Sequence, residues 1–396
     1  MPDLSRTIGA LRPGVFAELQ ARIDAHAGRG GDLVPLQIGD TFLDPAPAAS
    51  LARACDPDRL EPELYRYGAT LGLATLRDAL AARVRARGLP WVEGDAHVLL
   101  GAGATHAISC AARAILDDGD DVLLATPYWP LAHGILHGCG ARAIEVPFTS
   151  RLYADPSLDA GALLRAALTP RTKALYLITP NNPDGKVLTH AQLASIAALA
   201  VERDLWVIAD EAYADYAYDA PHVSLASLPG MAERTITALS LSKSHALAGV
   251  RVGCVVAPPT VVRAARKAAI HSTFNVPVIA QRSALGALLA GEAWTDAARA
   301  EYRGARDAAM TALEGSGVRF GRAEGGAYLF LDFVDVLDRR PLSALLARAI
   351  DRGVLLAPGE AFGAAHATCA RLCFIAVPRP RLLEGIARLR AAIDAF

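Results

Sequence analysis

Ser240-Leu-Ser-Lys243-Ser-His-Ala-Leu-Ala-Gly-Val-Arg251-Val-Gly253 is the stretch that decides what kind of fold this chain adopts. It lies between two short apolar runs, Thr235–Leu239 and Val252–Ala257. Upstream, further runs recur at His97–Leu100, Asp121–Ala125, Arg142–Val146, Lys173–Ile178 and Leu205–Ala209. Between most of them lie Ala/Leu-rich segments with apolar residues three and four apart, such as Gln192–Arg203. Strand and helix alternating in this way predict an α/β fold built on a mostly parallel sheet covered on both faces. Lys243 follows a strand in that scheme. A lysine there is ordinarily a surface cation, and its amine attacks carbonyls only when its pKa is lowered or it is held as a Schiff base. The flanking serines and Arg251 supply what a phosphate needs, hydroxyl donors and a guanidinium fork.

After Val278 the pattern changes. A long helical stretch, Ile279–Glu314, leads to expected strands at Ala327–Phe333, Gly353–Leu356 and Leu372–Val377, which predicts a smaller α+β unit. The first 50 residues hold one helix and an extended piece, Leu43–Pro47, too little for a core of their own. They are expected to dock on the C-terminal unit. The expected division is a large domain at 50–285 and a small one from 1–49 and 286–396.

Composition excludes several classes. The 396 residues carry a net charge of −1 with no basic stripe, which argues against nucleic acid. No stretch approaches the roughly 18 apolar residues that span a bilayer. Asp3, Arg6, Arg12, Pro13 and Glu18 interrupt Met1–Gln20, so it does not read as a signal peptide. The six cysteines (55, 110, 139, 254, 369 and 373) form no CxxC pair and suit a reducing cytoplasm as buried free thiols. No metal ligand set is assigned.

Other segments converge on the same sheet edge. Leu205–Ala209 runs into Asp210-Glu-Ala-Tyr213, placing an acid where open α/β sheets bind ligands. A carboxylate there is either a helix cap or the partner of a protonated pyridine nitrogen. Gly101-Ala-Gly103-Ala104-Thr105 opens the helix Ala104–Leu116, and glycines at a helix N-terminus admit an anion. As a dinucleotide fingerprint this segment fails. His106 replaces the third glycine, and Asp120–Asp121 begin the next strand where the ribose-binding acid belongs at the far end. Trp129 ends Thr126-Pro-Tyr-Trp129 and is either a core aromatic or a stacking platform. Asn181-Asn182-Pro-Asp184-Gly185 is a turn that also points an asparagine at the ligand edge. Arg371, opening the expected strand Leu372–Val377, is a candidate carboxylate clamp.

Taken together, Tyr67, Gly101–Thr105, Trp129, Asn182-Pro183, Asp210-x-x-Tyr213, Ser240-x-Ser-Lys243, Arg251 and Arg371 resemble the fold type I enzymes that use pyridoxal 5'-phosphate (PLP). The chain is most similar to the class I/II aminotransferases of the aspartate aminotransferase group. The likeness runs from Leu36-Gln-Ile-Gly39-Asp40 to the final helix. It implies that Lys243 is the Schiff-base lysine and proton shuttle, that Asp210 pairs with the pyridinium nitrogen, and that Asn182 and Tyr213 bond the ring oxygen. Trp129 would stack on the ring, while Gly103, Ala104, Thr105, Ser240, Ser242 and Arg251 would hold the phosphate. Tyr67 would reach the phosphate of a second subunit, making the active unit a homodimer. Arg371, with Gly39 and Asn182, would bind the substrate α-carboxylate. The implied reaction is ping-pong transfer of an amino group between an amino acid and a 2-oxo acid.

Two departures bear on substrate. The usual Asn-Pro-Thr-Gly reads Asn182-Pro-Asp184-Gly185, adding a negative charge close to the expected site. Members that prefer dicarboxylates carry an additional arginine about the segment that here reads Ile270-His-Ser-Thr-Phe-Asn275, and that segment holds none. An uncharged amino donor is therefore expected. Two other functions compete: different PLP α-carbanion chemistry, such as a β-lyase, decarboxylase or O2-dependent oxidase, and a non-catalytic sensor domain. The sensor needs a basic winged-helix segment upstream, for which 50 residues are too few.

Overall fold

The computed structural model describes residues 5–9, 11, 19–55 and 61–396. Most of the N-terminal stretch weighed above as a signal peptide lies outside them. A seven-stranded sheet dominates, in the spatial order Val98–Ala102, Val252–Val256, Thr235–Ser240, Trp206–Asp210, Thr172–Ile178, Asp121–Thr126 and Arg142–Pro147. Only Val252–Val256 runs against its neighbours; the rest are parallel. Asp121–Thr126 and Val252–Val256 are buried at every position, as expected of strands covered on both faces. Helices Ala104–Ile115 and Pro259–Thr273 pack on one face, and Ala74–Ala86, Val278–Leu289 and His190–Glu202 on the other. Thr189 caps the last of these with a full capping box to Gln192.

A separate apolar cluster gathers around Tyr328–Asp332, Cys369–Cys373 and Ala357–Pro358, an antiparallel three-stranded sheet. Helices Ala293–Leu313 and Arg379–Asp394 pack against it. The N-terminal arm joins this cluster. Val34–Pro35 pairs in parallel with Val354–Leu355, and Val34 and Leu36 are fully buried. All six cysteines are free. No helix among the described residues is long and apolar enough to cross a membrane.

Several boundaries differ from expectation. His97 closes a helical turn, Gly94–His97, and the strand begins at Val98 and includes Gly101 and Ala102. Gly353–Leu356 shrinks to Val354–Leu355, which pairs with the N-terminal arm instead of the antiparallel sheet. Arg371 does not open a strand but sits in the middle of Cys369–Cys373, between Ala357 and Phe330. Cys369 and Ala370 carry no period-two signal that would have extended the strand backward. The helix expected over Ile279–Glu314 is two, Val278–Leu289 and Ala293–Leu313. Gly291 breaks it at φ +80°, and no other atom lies within 4 Å of a Cβ placed there. Because that space is open, the cost of Gly291→Ala is backbone strain alone. The variant should lose about 1–2 kcal/mol of stability, seen as a lower urea midpoint at unchanged slope.

Candidate active site

Parallel strands deliver their C-terminal ends to one edge of the sheet, and three of them carry the groups that matter. Thr172–Ile178 leads to Asn182, Trp206–Asp210 ends on Asp210, and Thr235–Ser240 leads through the short helix Leu241–Ser244 to Lys243. They line a cavity of about 140 Å³ together with Ala104, Thr105, Trp129, Tyr213, Ser240, Ser242 and Arg251. Those ten sequence-predicted residues do not stand alone there; Ile108, Ile178 and Ala212 complete the apolar walls. A larger cavity of about 540 Å³ lies beside it, lined by Arg83, Glu211, Asp215 and His222 among others. Arg83 and Arg87 pair with Asp215 on its wall, Asp219 and Arg299 pair with residues off it, His222 Nε2 lies 2.9 Å from a Glu211 carboxylate oxygen, and Lys243 is not part of it.

One end of the smaller cavity suits a phosphate. Gly103 precedes helix Ala104–Ile115 at φ +78°, and no side chain caps that helix. Its first N–H groups are therefore free for an anion. Arg251, itself in the left-handed region, lies so close that a Cβ on Gly103 would stand 2.4 Å from its Nη2. Its Nη1 donates to the Ala248 carbonyl at 3.0 Å and approaches Ser242 Oγ at 3.4 Å.

At the other end Asp210 is buried. Tyr176 Oη donates to it at 3.2 Å and the Ala212 N–H at 3.1 Å. No cation among the described residues offsets its loss of water, and burial pushes its pKa up to about 6. A protonated pyridine nitrogen is the kind of partner this carboxylate lacks. Lys243 Nζ donates to the Gly39 carbonyl, and burial lowers the pKa of its amine. The anion site, the buried carboxylate and the lysine on this one cavity fit pyridoxal phosphate.

Arg371 lies just beyond. Its Nη1 donates to Asn182 Oδ1 at 2.9 Å and its Nη2 to the Gln37 carbonyl at 2.8 Å. The guanidinium carbon sits 4.2 Å from the Tyr328 ring centre and 4.9 Å from that of Phe362. Nε is buried with no partner, a donor left for a ligand. Tyr213 and Tyr328 join hydroxyls at 2.6 Å. Tyr67 is not part of this cavity. Its side chain is 85% exposed, with its ring against Phe274.

Asp184 does not face the cavity. Its carboxylate turns into its own loop, accepting from Thr149 Oγ1, from Asn181 Nδ2 at 2.9 Å and from the Lys186 N–H at 3.0 Å. The extra charge therefore holds a turn and repels no substrate from the cavity. Tyr176, Tyr328 and Phe362 escaped the sequence reading, because an aromatic inside an apolar run carries no mark separating core from site.

Known proteins resemble this chain over nearly its whole length. The family model described as aminotransferase class I and II matches residues 32–389. The arginine–pyruvate transaminase of Pseudomonas aeruginosa is 35% identical over 383 residues, 94% of this chain and 93% of its own. The aspartate/prephenate aminotransferase of Thermus thermophilus is 31% identical over 92% of each chain. Among solved structures, aspartate aminotransferase from Thermus thermophilus with maleate superposes with a TM-score of 0.88 at 29% identity, covering 99% of this chain and 100% of the other.

The raised pKa of Asp210 has a definite sign. Folding keeps its proton on, so the associated stability is present below the unfolded value of about 3.9 and is lost as pH rises through about 6. Cofactor-free Asp210→Asn should therefore gain on the parent by an amount on the order of 3 kcal/mol between pH 4 and pH 7. Urea titrations of both proteins across that range measure it.

Proposed function

This chain belongs to the class I and II aminotransferases and is a PLP-dependent enzyme moving an amino group between an amino acid and a 2-oxo acid; within that chemistry we propose the role of each residue, the substrate class and the assembly. The observation that carries the assignment of roles is the buried, cation-free Asp210 facing one cavity with Lys243 and the Gly103–Arg251 anion site. When bound, PLP supplies the electron sink that lets the substrate Cα–H bond break.

Lys243 Nζ carries the cofactor between turnovers and moves the proton from substrate Cα. Its lowered pKa keeps a fraction of the amine neutral, as a base must be. Asp210 holds the ring nitrogen's proton, Asn182 and Tyr213 donate to the ring oxygen, and Trp129 covers the ring. Gly103, Ala104, Thr105, Ser240, Ser242 and Arg251 bind the phosphate. Arg371 binds the α-carboxylate, oriented by Asn182 and the two aromatic rings, with Gly39 shaping the space beside it. Amino acid and oxo acid use this one site in turn.

The enzyme works as a cytoplasmic homodimer in which the exposed Tyr67 reaches the phosphate in the other subunit. Residues 50–285 form the cofactor-holding domain, and 1–49 with 286–396 the second. Three apolar clusters lie almost wholly within 50–285 and one lies mostly outside it, with Tyr213, Tyr216 and Tyr218 joining that one across the division.

The preferred amino donor lacks a side-chain carboxylate. Arg251 is committed to the phosphate end and Arg371 to the α-carboxylate, while Ile270–Asn275 brings no third guanidinium. The 35% identical relative is named for arginine, a donor that needs no second carboxylate clamp. Forgoing a charge-assisted bond of roughly 1.5–3 kcal/mol corresponds to about a 10- to 150-fold penalty on aspartate or glutamate. Adding each amino acid to the holoenzyme and following the cofactor's absorbance as it takes the amino group gives kcat/KM across a panel. A tenfold lead for aspartate or glutamate over neutral and basic donors would overturn this preference, and no spectral conversion with any amino acid would overturn the roles assigned here. For the shared site, mixing Tyr67→Phe and Lys243→Ala subunits should restore activity above the sum of the two. One hybrid site then has both residues intact.

A further inference from the structure

Tyr328 touches three groups that the preceding assignments keep apart. Its hydroxyl bonds the Tyr213 hydroxyl at 2.6 Å, and the two rings meet edge to face at 5.6 Å between centres. Its face carries the Arg371 guanidinium at 4.2 Å. Its hydroxyl also lies against Gly39, where an added Cβ would stand 2.3 Å away, and the Gly39 carbonyl accepts the bond from Lys243 Nζ. Tyr213 and Tyr328 are 4% and 1% exposed, so water does not compete for either hydroxyl.

A phenol pair at this distance shares one proton between two oxygens, and what lies beyond fixes the direction. With a phenolate oxygen in front of it, Tyr213 must donate forward, and it can then accept only from Tyr328. We propose that Tyr328 is a positioning residue for the transamination: it donates to Tyr213, making Tyr213 a stronger donor to the cofactor's ring oxygen, while its ring fixes the Arg371 clamp. This rests on the assignment of Tyr213 to the ring oxygen. Chained hydrogen bonds polarise one another in a low-dielectric interior, and both phenols are held well inside such an environment, their pKa values raised chiefly by burial. Arg371 and Cys373 are the other titratable groups facing both, and Asp40 faces Tyr328.

The hydroxyl and the ring have separable effects. Donation to the ring oxygen draws charge from it and weakens its hold on the proton of the lysine-bound nitrogen, so the spectroscopic pKa of the bound cofactor falls. Tyr328→Phe, which removes only the hydroxyl, should raise that pKa by about 0.1–0.7 unit, given cooperative strengthening of ~10–30% in a charge-assisted bond. Tyr213→Phe should raise it further, and adding Tyr328→Phe to Tyr213→Phe should change nothing more. The Kd for propionate, read from the cofactor's absorbance, should stay within about twofold in Tyr328→Phe and weaken by about threefold or more in Tyr328→Leu, which loses the cation–π face. The experiment is a pH titration of the absorbance of each holoenzyme, with propionate titrated at a fixed pH. A pKa that moves in Tyr213→Phe but not in Tyr328→Phe overturns the hydroxyl chain. A pKa that moves in neither overturns the assignment of Tyr213. A further shift when Tyr328→Phe is added to Tyr213→Phe overturns the relay through Tyr213, and unchanged propionate affinity in Tyr328→Leu overturns the role of the ring.

Discussion

A carboxylate held out of water with no cation beside it is the constraint around which this site is arranged. Asp210 ends a strand buried from Val207 onward, and among the described residues one phenol and one backbone amide donate to it. Isolated buried charge is among the costliest things a protein can hold, and it is ordinarily relieved by protonation or by a partner. A protein that keeps such a group at the edge of a ligand cavity has made the ligand the partner. The cavity's other end follows the same logic with opposite sign. Helix Ala104–Ile115 opens uncapped, and Arg251 is drawn in against Gly103, so positive potential waits there for an anion. A ligand carrying a cation on its ring and a phosphate on its arm would be attracted by both groups.

The proposed carboxylate clamp is organised differently. Arg371 is buried, and two of its three nitrogens are already satisfied by Asn182 and Gln37. Aromatic rings on Tyr328 and Phe362 restrict the guanidinium plane further. Little side-chain entropy remains to be lost when a substrate arrives. Asn182 joins Arg371 to the cavity, so in the proposed roles the substrate carboxylate and the ring oxygen would be recognised through one shared amide.

The parts of this arrangement visible in the sequence are those whose residue type is unusual for its position. Lys243, Asp210 and Asn182 stand where strands run out, and Arg251 follows the lysine among serines; each is a polar group at an apolar boundary. The alternating sheet was visible for the same reason, from apolar runs separated by helical spacing. What stayed hidden depended on partners distant in the chain. Tyr328 and Phe362 look like core aromatics until the three-stranded sheet brings them to Arg371. Arg371 itself appeared to begin a strand because Cys369 and Ala370 show no alternation, although tertiary pairing extends the strand through them. Asp184 illustrates the converse error. Its charge looked like a substrate filter, whereas three donors within its own surroundings draw it away from the cavity.

Tyr67 follows from the same physics at the surface. A tyrosine that is 85% exposed beside a Phe274 that is 41% exposed is a costly pair to leave in water, and the aromatic contact between them covers only part of either ring. Phe274 ends helix Pro259–Thr273 at φ +63°, a conformation that a phenylalanine adopts only under constraint from its surroundings. Both residues therefore favour a covering surface over solvent. The proposed dimer supplies one, and it adds a hydroxyl to a phosphate end that already has serines, free amides and a guanidinium. In the proposed dimer this exposed aromatic pair is half of an interface rather than a defect of the monomer's surface.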